Sequence, residues 1–319
     1  MSAHDNAPGP TLVTATLLRG WPLPAPGEDK YSRGSVLVVG GARATPGAAL
    51  LAGTAALRAG AGKVTLAVAE SVSVQLGVAL PECGSIGLPE TPGGSVKPEL
   101  DRISSYLDRA DVILVGPGLD HPDLARELLE ALLGQNKESN SGAQGDAGRG
   151  SQGDAGAKEG PAVVLDAYAL GALVPLEDQL GPWRGRLILT PNPKEAEVLL
   201  GREVNDLEKD LAEISARFGA VVSCQGLITQ PPGLNPDEPE LWKITTGYGG
   251  LGTSGSGDVL AGAIAGFRAR GTTGAQAACW GTHLHAAAGD RLAVRLGPLG
   301  FLARELADEL PALMLEFSV

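Results

Sequence analysis

In the run GYGGLGTSGSGDVLAG, residues 247–262, glycine recurs at almost every second position and then a single carboxylate follows, Asp258. Glycine tolerates φ > 0 and lets main-chain N–H groups converge without a Cβ in the way. Successive free amides at a helix start form a concave anion site, reinforced by the positive end of the helix dipole. Gly255, Ser256 and Gly257 would supply those amides. Asp258 then stands where a carboxylate can take the proton of a hydroxyl attacking a bound phosphoryl group. A helix cap is an equally simple use for it. Gly247, Gly249 and Gly252 also spell G-x-G-x-x-G, but no helix opens at the third glycine and no acid follows about twenty residues on, so a dinucleotide fingerprint fails on context. GAGKVT, residues 60–65, lacks the earlier glycine and the hydroxyl of a Walker loop.

These groups need a scaffold, and the chain supplies a repeating one. SVLVV (35–39), KVTLAVA (63–69), DVILVG (111–116), AVVLDA (162–167), RLILT (186–190) and AVVSC (220–224) are short runs apolar on both faces, the pattern of parallel strands covered on both sides. Helical stretches alternate with them, among them GAALLAGTAALRA (47–59), DLARELLEALL (123–133) and DLEKDLAEISARF (206–218). The series is βαβ, hence an α/β domain with a mostly parallel sheet. Residues 257–319 read mainly as helix. Residues 134–160 contain no apolar residue but alanine and repeat QGDAG, which reads as a flexible surface insertion between a helix and the strand AVVLDA.

Composition narrows the partners. The 319 residues carry a net charge of −12, which argues against nucleic acid or an anionic membrane as main partner while leaving room for a local anion pocket. Cys83, Cys224 and Cys279 are far apart with no CxxC, and His283 and His285 are spaced two apart, so no metal ligand set is legible. No secretory signal or membrane-length apolar run is present, and a cytoplasmic location is expected.

The glycine loop and its acid, set in this βα series, resemble the ribokinase-like superfamily. More narrowly the chain resembles the NAD(P)H-hydrate dehydratases, which repair hydrated nicotinamide cofactors at the expense of ADP or ATP. Lys30 and Gly34 lead into SVLVVGG and TPGAALLAGTAALRAGAGKVTLAV (45–68). LVGPGL (114–119), LDAYAL (165–170), LTPNPKEAEVL (189–199), CQGLIT (224–229) and GTSGSGDVLAG (252–262) then follow in the family's order. The resemblance implies a ribokinase-like α/β fold, a mostly parallel central sheet with helices on both faces. It would form a single domain over residues 30–319 behind an N-terminal extension, 1–29, too short to hold an epimerase domain; a separate epimerase and a homo-oligomer are expected.

The implied activity is dehydration of (S)-NAD(P)H hydrate through phosphorylation and elimination, with ADP or ATP and Mg²⁺. By the same resemblance Asp258 activates the substrate hydroxyl and Gly255, Ser256 and Gly257 form the anion hole. Ala48, Gly118, Asn192 and Asp258 meet the hydrated dinucleotide, and Gln225, Gly226, Leu227, Ile228, Thr229 and Gly257 meet the nucleotide. Three departures stand out: Asn192 and Lys194 in place of TPHxGE, Gln225 in place of the lysine of KGxxT, and Tyr168 in place of an aspartate in DADAL. Gln225 can donate to phosphate without the ionic contribution, so weaker nucleotide binding is expected. A vitamin or sugar-alcohol kinase on the same fold, or a nucleotide-binding homologue with a drifted site, are the alternatives.

Overall fold

The computed structural model describes residues 9–25, 27–142, 160–247 and 249–318. Among these described residues ten strands form one sheet: β1 (Thr11–Val13), β2 (Ser35–Val39), β3 (Lys63–Ala69), β4 (Gly84–Leu88), β5 (Val112–Val115), β6 (Ala162–Leu165), β7 (Leu187–Leu189), β8 (Ala220–Cys224), β9 (Leu227–Thr229) and β10 (Leu241–Ile244). Their order is β1-β10-β9-β8-β7-β6-β5-β2-β3-β4. β9 pairs antiparallel with both β8 and β10, and every other pairing is parallel. The strands read as continuous apolar runs because both faces are covered. β5 and β6 are buried at all four positions.

Eleven α-helices accompany the described strands: α1 (Ala15–Gly20), α2 (Pro46–Arg58), α3 (Glu70–Ala79), α4 (Ser104–Leu107), α5 (Pro122–Gly142), α6 (Tyr168–Leu173), α7 (Pro193–Leu200), α8 (Leu207–Phe218), α9 (Ser256–Ala269), α10 (Gly274–Leu296) and α11 (Ala303–Ser318). Alternate strand residues feed two cores. Val36, Val38, Leu114 and Val164 pack with α2, α9, α10 and α11, whereas Leu37, Val39, Val115 and Leu165 pack with α5, α6, α7 and α8.

α2 and α9 approach closely through small residues. A Cβ on Gly262 would lie 2.1 Å from the Ala52 carbonyl oxygen, and one on Gly266 would lie 2.5 Å from that of Ala56. Only glycine permits this contact.

Two boundaries differ from the sequence reading. Residues 9–25, expected to lie outside the domain, are part of its framework. β1 extends the sheet beside β10, Trp21 stacks on Trp242 with ring centroids 6.0 Å apart, and the Trp280 and Gln276 side chains donate to the Trp21 carbonyl, each at 3.0 Å. A three-residue strand is too short to announce itself by periodicity. The expected insertion begins later than residue 134, since α5 continues to Gly142. Residues 143–159, where the rest of that insertion falls, lie outside the described residues.

Candidate active site

Parallel sheets place their functional loops at the carboxyl ends of the strands, and the sequence-selected residues gather there. β2 ends into Gly40-Gly41, β5 into Gly116-Pro117-Gly118, β6 into Asp166 and β7 into Thr190. The first two turns interlock. The Ala42 amide and the Thr45 hydroxyl both donate to the Gly118 carbonyl at 2.8 Å. Gly118 has φ +75, and a Cβ there would lie 2.4 Å from the Thr45 carbonyl oxygen and 3.1 Å from the Ala48 Cβ. Ala48 and Gly118, far apart in sequence, thus form one wall.

The glycine run builds the adjoining corner. Gly255 is the N-cap of α9 with φ +86, and a side chain there would strike Leu51 of α2 at 2.4 Å. With no side chain to cap the helix, the amides of Gly255, Gly257 and Asp258 have no acceptor among the described residues. Ser256 differs from expectation. Its amide donates to the Thr253 carbonyl at 3.1 Å, so it is engaged by the turn and not available to an anion. Its hydroxyl instead shares a hydrogen bond with His285 Nε2 at 2.9 Å, and burial holds that imidazole's pKa down at about 4, hence neutral. His283 turns elsewhere, edge-on to Phe317.

Asp258 lies in the first turn of α9, half-buried, and its carboxylate accepts no hydrogen bond from the described residues; it is not a cap. Burial alone lifts its pKa from 3.8 to about 6. Across from it is a carboxylate that the motifs did not single out. Asp166 is 6% exposed and accepts from the Thr190 hydroxyl at 2.7 Å. Burial pushes it to about 7, against the lowering effect of the Thr190 bond and with help from the nearby charges of Asp258 and Glu195. A buried acid at the end of a strand, coupled to a second acid, marks a functional site. Its signals in the sequence were its place at the end of AVVL and in LDAYAL, where it stands as the first aspartate of the family's DADAL.

The remaining expected contacts divide. Asn192 is the N-cap of α7: its Oδ1 accepts the Glu195 amide at 3.0 Å while Glu195 Oε2 accepts the Asn192 amide at 2.9 Å, a reciprocal capping box. Asn192 therefore has its side-chain oxygen committed, leaving its amide nitrogen for a ligand. Gln225 and Gly226 form the two-residue turn between β8 and β9, with φ 47 and 78, the left-handed pair of a type I′ hairpin. The side chains of Leu227, Ile228 and Thr229, expected to meet the nucleotide, are buried. β9 is an interior strand, the side chains of Leu227 and Ile228 fill the cores, and the Thr229 hydroxyl donates to the Glu240 carbonyl at 3.0 Å. Only the Gln225–Gly226 turn of that stretch is accessible.

Of the G-x-G-x-x-G glycines, Gly247 and Gly249 serve packing, while a Cβ on Gly252 would meet nothing within 4 Å. The Gly247 amide donates to Asp290 Oδ2 at 2.8 Å, and a Cβ on Gly249 would lie 3.3 Å from that of Ala293 on α10.

The family model for NAD(P)H-hydrate dehydratase matches residues 36–142 and 153–312. The chain is 39% identical over 314 residues to the ADP-dependent (S)-NAD(P)H-hydrate dehydratase of Xanthomonas campestris, covering 97% of this chain and 98% of that protein. It is 37% identical to the bifunctional NAD(P)H-hydrate repair enzyme of Moorella thermoacetica over 87% of this chain, and spans about half, 48%, of that relative's length. Among solved structures it is similar to the ADP/ATP-dependent NAD(P)H-hydrate dehydratase of Bacillus subtilis co-crystallised with ATP/Mg²⁺, with a TM-score of 0.71 at 25% identity, covering 98% of this chain and 100% of that one.

Proposed function

Because the chain belongs to the NAD(P)H-hydrate dehydratase family, we propose that it dehydrates (S)-NAD(P)H hydrate at the expense of ADP, with Asp258 as the general base. The observation that carries this reading is a half-buried carboxylate with no hydrogen-bond partner among the described residues, beside main-chain amides left open by a glycine cap. Asp258 takes the proton of the ring hydroxyl as its oxygen attacks the terminal phosphorus of the nucleotide. One O–P bond forms while the bond to the leaving nucleotide breaks, and the amides of Gly255, Gly257 and Asp258 hold the phosphoryl oxygens. Phosphate then departs with the C–O electron pair, a proton leaves the adjoining carbon, and the double bond of NAD(P)H is restored. Phosphate is the better leaving group, which is why a nucleotide is consumed.

Ala48 and Gly118 flank the dinucleotide, Asn192 Nδ2 remains free to donate to it, and Gln225 and Gly226 border the nucleotide. Mg²⁺ suits the donor set, since this ion is held by one or two carboxylates completed by phosphate oxygens and water, and Asp166 and Asp258 are the carboxylates near the phosphate corner that would hold it. When bound it would neutralise charge on the transferring phosphate. A cytoplasmic location, a homo-oligomer and a separate epimerase supplying the (S) form belong to the same proposal.

The test is incubation with NADH hydrate, Mg²⁺ and ADP, following the return of reduced-nicotinamide absorbance. Return that disappears in Asp258→Asn supports the reading. A phosphorylated hydrate that accumulates without NADH would instead reveal a kinase that stops at the first step.

A further inference from the structure

Next to Asp166 lies a cavity of about 300 Å³, walled by Pro122, Ala167, Tyr168, Gly171, Glu195 and Val198. Its construction is specific. Asp166 lies near enough to Asp258 to feel its charge, and the following residue, Ala167, has φ 51 and ψ −124, a conformation that L side chains rarely adopt. That turn starts α6 at Tyr168 and leaves its side chain 48% exposed. Gly171, one turn further, contributes no side chain to the wall, and Val198 of α7 supplies an apolar surface. No cation is among the lining residues, so the cavity does not suit a phosphate. Its one ionisable carboxyl, Glu195, has Oε2 occupied by the Asn192 amide.

We propose that this cavity is an adenine subsite in which the base stacks on Tyr168. The inference rests on the dehydratase reading. Of the rings in its two substrates, the hydrated nicotinamide carries tetrahedral carbons and must deliver its hydroxyl to Asp258, so it is neither flat nor free to enter. Adenine is flat and uncharged, matches an apolar slot with an exposed phenol ring, and offers an exocyclic amine to Glu195. Both the dinucleotide and ADP carry it.

The test is equilibrium dialysis of the full chain and of Tyr168→Ala and Tyr168→Phe against NADH, ADP and reduced nicotinamide mononucleotide, which lacks adenine. Tyr168→Ala should weaken one adenine-bearing ligand about tenfold, Tyr168→Phe should restore it, and the mononucleotide should bind all three proteins alike. Loss for NADH places the dinucleotide's base in the cavity, and loss for ADP places the nucleotide's base there. Unchanged binding of both, or equal weakening of the mononucleotide, overturns the subsite. Dialysis needs no turnover, so failure here is distinct from failure of the wild-type dehydration assay.

Discussion

Burial has made Asp258 a better proton acceptor than a surface aspartate, and this sets the pH response. Its pKa stands at about 6 instead of 3.8, so kcat/KM should rise with pH to a plateau, with a midpoint near 6 in a pH–rate profile. Asp258→Asn should lower kcat by about 10²–10⁴. The same residue has an opposite effect on stability. An acid whose folded pKa is raised stabilises the fold fully below its unfolded value, and that contribution is lost as pH rises through about 6. At pH 8 the Asn variant should therefore melt higher, by on the order of 1–2 kcal/mol after screening of a half-exposed group; thermal melts at pH 4 and pH 8 check the sign. Asp258 was legible because the glycines pointed at it. Asp166 was present in LDAYAL but no role could be read for it, since its partner Thr190 lies 24 residues away and only the fold brings the two together.

Gly257 and Gln225 show how element geometry decides function. A Cβ on Gly257 meets nothing within 4 Å, and alanine is the better helix former by up to about 1 kcal/mol. Gly257→Ala should thus keep or raise the melting temperature while raising the KM for ADP, because the methyl enters the space assigned to phosphate. Gln225 sits exposed in the β8–β9 turn. Gln225→Lys should tighten ADP binding several-fold in a titration at low salt and lose that gain at high salt. The strands were readable from their apolar runs. Their order, and the reversal of β9, depend on long-range pairing that no local pattern encodes.

For the molecule as a whole, the least legible part is the N-terminal segment. Val13 and Leu18 are fully buried, and Trp21 covers Trp242. Deleting residues 1–25 should destabilise the protein by at least about 3 kcal/mol, from the two aliphatic side chains alone. Chemical denaturation with the full chain as reference measures this; an unchanged midpoint would contradict the role assigned to the segment.

The backbone contact between α2 and α9 bears on how this enzyme could diversify. Ala48 and Asp258 ride on helices in main-chain contact at Gly262 and Gly266, so a side chain introduced at either glycine would force the helices apart and shift both walls of the site together. Change costs less away from that contact, at exposed positions such as Tyr168, Asn192 and Gln225, which the sequence reading set apart from the family's motifs.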